Sequence, residues 1–441
     1  MTLARMAPRC QRWAFPPPRL TARFGWGYAP GMKIWMKYLL AALVGAAIAL
    51  VIPTGDAGLA GTLSFLSALS IRIGRYVLVP LVLFSVPVAV FELNEDKQFW
   101  RILGRSFLLI LVSVALFTLV GVVTAALAHP ARIPLLADSS PAGAAPSLRS
   151  LLFAVFPSSL FGLLHDSGDF LLPVYFLSIL LGIAFSFDRT ATKPVVTLFD
   201  SFSRIFYQLN SFFAEFLGIL IIFVSANSIF SLRAGIHTDV YTPLLIVVGV
   251  ELLVMTFLVI PAVLYVFCGR KNPYRYLYSF FGPALAALVS GDVYFSLGPL
   301  IRHAKESLGI KRRSNAAVLP LAIVFGRAGT ALVTATAFIV VLSSYSNIGI
   351  SPSSLLWILG VSPFLTLLLG ASPGQGTLTA LIALCSLYGK GFENGYLIVA
   401  PVAAPLAAAG AFLDVLWAGC VSLMIAKGDG QIQEKEVRFY I

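Results

Sequence analysis

The fold is decided by residues 281–302, which read FGPALAALVSGDVYFSLGPLIR. This stretch is apolar, but Gly and Pro interrupt it, and Ser290-Gly291-Asp292 stands at its centre. Lys and Arg cluster before and after it, which is typical of cytoplasmic flanks. Because a helix rises only about 1.5 Å per residue, so short a stretch cannot cross a bilayer and return. These features predict a re-entrant hairpin of two half-helices.

Residues 354–389 have the same organisation, with two apolar halves separated by GASPGQG at 370–376. Their flanks carry little positive charge, so we expect this hairpin to enter from the extracellular side. A long apolar run, 315–343, separates the two hairpins, and another, 396–426, follows the second. Hairpins that open to opposite sides indicate an inverted repeat and the binding site of a transporter. The alternative is that the breaks are ordinary kinks, because Gly and Pro are frequent in membrane helices.

The composition is that of a polytopic membrane protein. Of the 441 residues, 59% are hydrophobic and 11% are charged, against roughly 25% charged in an average soluble domain. Runs of about 20 apolar residues span a bilayer, and the chain has enough of them to predict an all-α membrane protein with about eight transmembrane helices and two re-entrant helical hairpins. The runs before the first hairpin are about 38–53, 63–91, 106–128, 169–187, 199–230 and 241–268.

The net charge of +12 is explained by membrane topology. Lys and Arg are concentrated in alternate loops, which predicts a multi-pass protein of the cytoplasmic (inner) membrane with both termini in the cytoplasm. No basic face with interleaved aromatic residues occurs, so we expect no nucleic acid partner. The four cysteines show no spacing typical of zinc or of a disulfide framework, and no motif of a soluble enzyme is present.

Residues 1–31 differ in composition from the rest of the chain. They contain five arginines, a proline run and no acidic residue. A transit peptide has a similar composition, but Met32 and the apolar run after it resemble a natural start. We interpret 1–31 as a disordered basic extension or as a mis-assigned start.

Three ionisable residues lie deep in apolar runs: Asp292, Arg327 and Asp414. Each costs roughly 2.5–3.5 kcal/mol to insert at the centre of a membrane helix, so each needs a partner or water. Arg327, predicted in the middle of a helix, could pair with Asp414 or with Asp292. Arg327 could hold a carboxylate substrate, or the pair could lock two helices. Glu215 and Glu251 form polar contacts between helices or bind a proton.

Short motifs in the second half carry a resemblance to a known family. They are GRKNP at 269–273, AKESLGI at 304–310, VLPL at 318–321, GTAL at 329–332 and SPGQG at 372–376. From about residue 35 to residue 427, the chain resembles a divergent member of the dicarboxylate/amino acid:cation symporters, which include the glutamate and aspartate transporters.

The resemblance implies a homotrimer in which a scaffold holds a transport domain that moves like an elevator. The scaffold would comprise 32–103, with helices one and two, and 131–240, with a loop and helices four and five. The transport domain would comprise 104–130, with helix three, and 241–427, from helix six to helix eight. Residues 428–441 would form a cytoplasmic tail.

The resemblance and the deep charges together define a candidate site. The residues expected to bind substrate are Ser290, Asp292, Arg327, Thr330, Ser372, Gly374, Gly376 and Asp414. Gly326 and Asp414 are expected to bind sodium, the coupling ion that the family implies, and no other cofactor is expected. The expected partners are a small anionic substrate and the lipid bilayer.

The chain departs from the family at most ligand positions. The family's Asn-Met-Asp is here Gly326-Arg327-Ala328. Helix eight should offer an aspartate for the amine, an arginine for the side-chain carboxylate, and Asn and Asp for sodium. Aligned from Lys427, those positions read Ala407, Gly410, Asp414 and Ala418. The loss of the amine-binding aspartate favours a simple carboxylate over an α-amino acid.

These observations predict a secondary active symporter, not an enzyme. It would take up a small organic anion, a dicarboxylate or an acidic amino acid, coupled to sodium or protons. Arg327 would replace the missing arginine of helix eight. The alternative is a non-transporting relative that acts as a membrane sensor or scaffold, which would explain the lost ligands.

Overall fold

The structure is a computed structural model that describes residues 32–53, 56–128, 132–134, 156, 159, 171–235, 238–269, 272–345, 351–368, 376–433, 435, 437 and 440–441. Contacts divide the chain into Met1–Met32 and Lys33–Ile441. The predicted extension 1–31 lies outside the described residues. Lys33–Ile441 is a single compact unit of helices, and its described residues contain no strand beyond one isolated bridge.

The first part of the chain forms four helices. They are α1 Ile34–Val51, α2 Ala57–Arg75, α3 Leu78–Glu95 and α4 Phe99–Ala128. Asp56 begins α2 by accepting hydrogen bonds from the amides of Gly58 (2.9 Å) and Leu59 (3.1 Å), as N-cap aspartates do. The run predicted at 63–91 is therefore two consecutive helices.

Four further helices and a π-helical segment follow. They are α5 Leu171–Phe185, α6 Arg189–Gly235, α7 Thr238–Val254, the π segment Met255–Val259 and α8 Ile260–Phe267. Pro261 has no N–H for the carbonyl of Phe257, and the hydroxyl of Tyr274 donates to that carbonyl instead, at 3.0 Å. The π segment therefore lies next to Pro261, and the Tyr274 hydroxyl supplies the donor that this proline lacks.

The second half of the described chain contains seven α-helices. They are α9 Tyr274–Ser290, α10 Val293–Glu306, α11 Arg312–Phe325, α12 Ala328–Tyr345, α13 Pro352–Leu368, α14 Gly376–Tyr388 and α15 Ala403–Gly428. α9 packs against α10, and α13 packs against α14. The run predicted as one helix over 315–343 is broken at Gly326 and Arg327, so the prediction that Arg327 lies in mid-helix was wrong.

Burial distinguishes central from peripheral helices. In the most apolar windows of 312–345 and of 400–428, 94% of the residues are buried, against 28% in α1. α4 and α15 pack against α12, and α9 packs against α15. Among the described residues, seven helical stretches are long and apolar enough to cross a membrane. The broken segment α11–α12 and helix α15 therefore form the centre of the protein.

The C-terminal tail closes the connection between α10 and α11. The amide of Lys311 donates to the carbonyl of Gln431, and the amide of Gln433 donates to the carbonyl of Gly309, both at 2.9 Å. Gly309 has φ +68°, and a Cβ there would lie 2.0 Å from the carbonyl oxygen of Gln433. Only glycine allows the tail to approach this closely.

Candidate functional site

Three helices, α10, α14 and α15, meet around the break between α11 and α12. The Arg327 guanidinium lies over the ring of Tyr294, near the start of α10, at 5.5 Å from the ring centroid. Its Nη1 is 3.9 Å from Oδ2 of Asp414, in the middle of α15. A Cβ at Gly376, the first residue of α14, would lie 3.8 Å from the same Nη1. The break thus brings Arg327 to the starts of two helices.

Asp414 holds the start of α12 in place. Its Oδ1 accepts from the amide of Thr330 at 3.0 Å, and its Oδ2 accepts from the Thr330 hydroxyl at 2.6 Å. The side chain is buried, and its negative charge stands at the positive end of α12. Asp414 therefore acts as a helix cap supplied by a neighbouring helix.

Glycines allow α12 and α15 to come into close contact. A Cβ at Gly329 would lie 2.3 Å from Cβ of Leu413 and 2.6 Å from the carbonyl oxygen of Gly410. A Cβ at Gly410 would lie 3.0 Å from Oγ1 of Thr377 and 3.2 Å from Cα of Thr330. Gly410, which the sequence resemblance aligns with an arginine, is therefore too confined for a longer side chain.

The backbone at the break is irregular. The amide of Arg327 donates to the carbonyl of Phe325 at 3.0 Å. The amide of Thr330, which would bond to Gly326 in a continuous helix, donates to Asp414 instead. The Gly326 carbonyl thus loses its regular helical donor. A carbonyl of this kind is an oxygen ligand of the type that hard cations prefer.

Asp292 caps its own helix and binds an arginine from α2. Its Oδ1 accepts from the amide of Tyr294 at 2.9 Å. Its Oδ2 accepts from Nε of Arg75 at 2.5 Å, and Nη2 of Arg75 also contacts this oxygen. Of the two pairings considered for Arg327, the structure has the one with Asp414. The partner of Asp292 is Arg75, which sequence reasoning did not pair with it.

The other predicted site residues divide into three groups. The Ser290 hydroxyl donates to the carbonyl of Ala286 at 2.8 Å and accepts from the amide of Asp292 at 3.2 Å, so it supports the turn. Ser372 and Gly374 lie outside the described residues. Thr330 and Gly376 lie beside Arg327, as described above. Sequence reasoning also missed Tyr294 as a platform for Arg327; an aromatic residue two positions after Asp292 was the available signal.

A comparison with protein-family models gives a match over most of the chain. A family model described as the sodium:dicarboxylate symporter family matches residues 34–428. A search of curated proteins gave no match. The matched range begins at the first residue of α1 and ends at the last residue of α15. It therefore contains every stretch identified above as able to cross a membrane.

Proposed function

Since the chain belongs to the sodium:dicarboxylate symporter family, it is a secondary transporter of the membrane, and we propose that its cargo is a small organic anion such as a dicarboxylate. The resemblance noted in the sequence is confirmed by this match. The proposed mechanism is symport with sodium or protons by an elevator-type motion. The proposed setting is a homotrimer in the cytoplasmic membrane with both termini in the cytoplasm.

The observation that carries this proposal is the position of Arg327. The residue is 5% exposed and lies at a helix break in the most buried part of the protein. A guanidinium recognises carboxylates through paired hydrogen bonds, and the start of α14 at Gly376 adds the positive end of a helix dipole. In transporters, helix starts at broken segments commonly face anionic groups of the substrate.

The charges around the site favour cotransport of a cation. Arg75 and Arg327 balance Asp292 and Asp414, so these four side chains sum to zero. An entering carboxylate adds uncompensated negative charge in a low-dielectric region, which is costly. A cation that binds with the anion removes this cost. We propose that sodium, if it is the coupling ion, binds at the Gly326 carbonyl and Asp414.

The elevator proposal is supported by the contacts of α10. Asn210 of α6 donates to the carbonyl of Gly298 at 3.0 Å, and Arg302 pairs with Glu215 of α6 at 2.9 Å. These polar contacts join the proposed scaffold to the proposed transport domain. A sliding movement exchanges polar contacts for others along the interface, whereas the apolar packing of α12 and α15 stays intact. We propose eight spans, with α9–α10 and α13–α14 as re-entrant hairpins of an inverted repeat.

Reconstitution tests the proposal. Purified protein in liposomes is given a panel of carboxylates and amino acids, with sodium and proton gradients imposed independently. We expect accumulation of a carboxylate under one gradient, and loss of it in Arg327→Ala. Arg204→Ala is the matched control, because Arg204 lies on α6 with a side chain that is 73% exposed. Equal uptake by both variants overturns the role of Arg327.

One observation favours the alternative of a non-transporting sensor. Ala407, Gly410 and Ala418 give α15 no side-chain oxygen at three positions where the family binds substrate or sodium. Carboxylate binding without flux under either gradient identifies such a sensor. Binding is measured as a rise in the thermal unfolding temperature, which follows when a ligand binds only the folded state.

A further inference from the structure

A buried carboxylate outside the site joins three helices. Glu251, on α7, is 2% exposed. Its Oε1 accepts from the hydroxyl of Thr336 on α12 at 2.7 Å and from the hydroxyl of Thr124 on α4. Its Oε2 is also buried and has no hydrogen-bond partner among the described residues. A carboxylate placed in this way is half satisfied, which is unusual for a group that only supports the fold.

Among the described residues, no positively charged side chain compensates the charge of Glu251. α12 carries no charged residue, and α15 carries only Asp414 and Lys427. On α4 the arginines are Arg101 and Arg105, and Thr124 is about 28 Å further along that helix. None of these groups interacts electrostatically with Glu251. An isolated ionised carboxylate in a membrane is costly, so this position takes up a cation or a proton.

The cluster can hydrogen-bond in either protonation state. The Thr124 hydroxyl also lies 2.9 Å from the carbonyl of Val120, and the Thr336 hydroxyl lies 3.3 Å from the carbonyl of Gly121. When Glu251 is ionised, both hydroxyls donate to Oε1. When it is protonated, its O–H donates to a threonine oxygen and that hydroxyl turns to its carbonyl, because hydroxyl hydrogens rotate freely. Neither state leaves either hydroxyl without an acceptor.

A proton fits this cluster better than a metal ion. Both hydroxyls converge on one carboxylate oxygen, whereas a hard cation needs a shell of several oxygen ligands. Among the described residues, no group of three His, Cys, Asp or Glu side chains could hold a metal ion. The π segment begins four residues after Glu251, and π segments occur frequently at functional sites.

The geometry points to Glu251, with Thr124 and Thr336, as the proton-binding site that couples this transporter to a proton gradient. The inference rests on the proposed transport function and names the coupling ion. Hydronium in the water on one side gives its proton to the carboxylate, and water on the other side accepts it. All three helices belong to the proposed transport domain, so the proton moves with the cargo.

Infrared spectroscopy tests the proton site without any transport. Protein in lipid is titrated over a range of pH, and the C=O stretch of protonated carboxyls is followed. We expect a titrating band that is absent from Glu251→Gln and present in Glu95→Gln. Glu95 is a matched control on α3 with a side chain that is 42% exposed. An identical band in Glu251→Gln, or no titrating band in the native protein, overturns the assignment.

A second variant covers the case in which Glu251→Gln fails to fold. Thr336→Val keeps the shape of the side chain but removes one donor to the ionised form. We expect the band to titrate at higher pH in this variant, because hydrogen bonds to a charged form favour that form. An unchanged midpoint overturns the role of the cluster.

Transport gives the separate test of coupling. One coupled proton supports about tenfold accumulation of solute for each pH unit of gradient. We expect this accumulation in the native protein and in Glu95→Gln, and its loss in Glu251→Gln, whose uptake becomes independent of pH. Accumulation that follows sodium alone overturns the inference. If no solute moves in the native protein, the transport function has failed, and the infrared titration still decides whether Glu251 binds a proton.

Discussion

Asp292 and Asp414 are similar residues in different surroundings. Each is buried, each caps a helix that begins after a break, and each lies near an arginine. Asp292 caps its own helix and binds Arg75 at 2.5 Å. Asp414 caps a different helix, binds Thr330 at 2.6 Å, and is 3.9 Å from Arg327.

Asp292 therefore forms a contact between the two proposed domains, whereas Asp414 forms a contact within one of them. We call the two hydrogen bonds between Asp414 and Thr330 the lock between α12 and α15. The short bond of Asp292 reaches α2, which belongs to the proposed scaffold. The short bonds of Asp414 join α12 to α15 in the centre of the proposed transport domain. We therefore expect substitutions near Asp414 to change the free energy of unfolding. We expect substitutions near Asp292 to change the stability of one conformation relative to another.

Asp414→Ala is expected to have the largest effect on stability. It removes the acceptor of both Thr330 bonds and the carboxylate beside buried Arg327. Breaking a buried ion pair in this way costs about 3–5 kcal/mol. Thermal or denaturant unfolding in detergent measures the loss, and Asp414→Asn, which keeps the shape and removes the charge, should lose less. An unchanged free energy of unfolding in Asp414→Ala would show that Asp414 does not stabilise the contact between α12 and α15.

Thr330→Val tests the lock from the other helix. It preserves the shape but removes the hydroxyl that donates to Asp414 at 2.6 Å. Hydrogen bonds to charged groups contribute about 1.5–3 kcal/mol, and we expect a loss of this size in the free energy of unfolding. Thr330→Ser, which retains the hydroxyl, is the control. Equal stability of the two variants contradicts the prediction.

Gly329→Ala tests whether the lock depends on close backbone contact. The added Cβ would overlap Leu413 and the carbonyl of Gly410, and overpacking of this kind costs about 1–3 kcal/mol. Gly61→Ala is the control on α2, because its Cβ has nothing within 4 Å. Unfolding in detergent should show a decrease for the first variant and an increase of up to about 1 kcal/mol for the second. A change of the same sign in the free energy of unfolding of both variants would contradict the dependence of the lock on close backbone contact.

A double-mutant cycle on Arg75→Gln and Asp292→Asn should give the smallest effect. The Arg75 side chain is 14% exposed, against 6% for Arg327, so less of the Arg75–Asp292 pair is buried. We expect a coupling energy of about 0.5–2 kcal/mol in the free energy of unfolding. A coupling as large as the loss in Asp414→Ala would remove the distinction between the two regions.

The sequence was sufficient to predict a helical membrane protein and the burial of three charged residues. It was not sufficient for every helix boundary, because the run 63–91 is two helices and the run 315–343 is broken. Runs of apolar residues and the rarity of charge identify Asp292, Arg327 and Asp414 directly, and the turn at Gly291 was expected from its flanking residues. These patterns involve residues close together in the sequence, so they can be recognised without the tertiary structure.

The partners of these charges were not predictable in the same way. Arg75 and Asp292 are 217 residues apart, and Thr330 and Asp414 are 84 apart. The break at Arg327 has no local signal beyond Gly326, because its stability depends on a cap supplied by α15. Packing between distant helices decides such features, and a single sequence does not encode it in any short pattern.

The tail that closes the α10–α11 connection constrains the order of biosynthesis. Gly309 and Lys311 receive their backbone partners from Gln431 and Gln433, which are synthesised after the whole of α11 to α15. Domains generally form from the N-terminus during synthesis, but this junction cannot close until α15 and the residues after it have left the ribosome. A nascent chain stalled within α15 would therefore expose the connection between α10 and α11 to proteases.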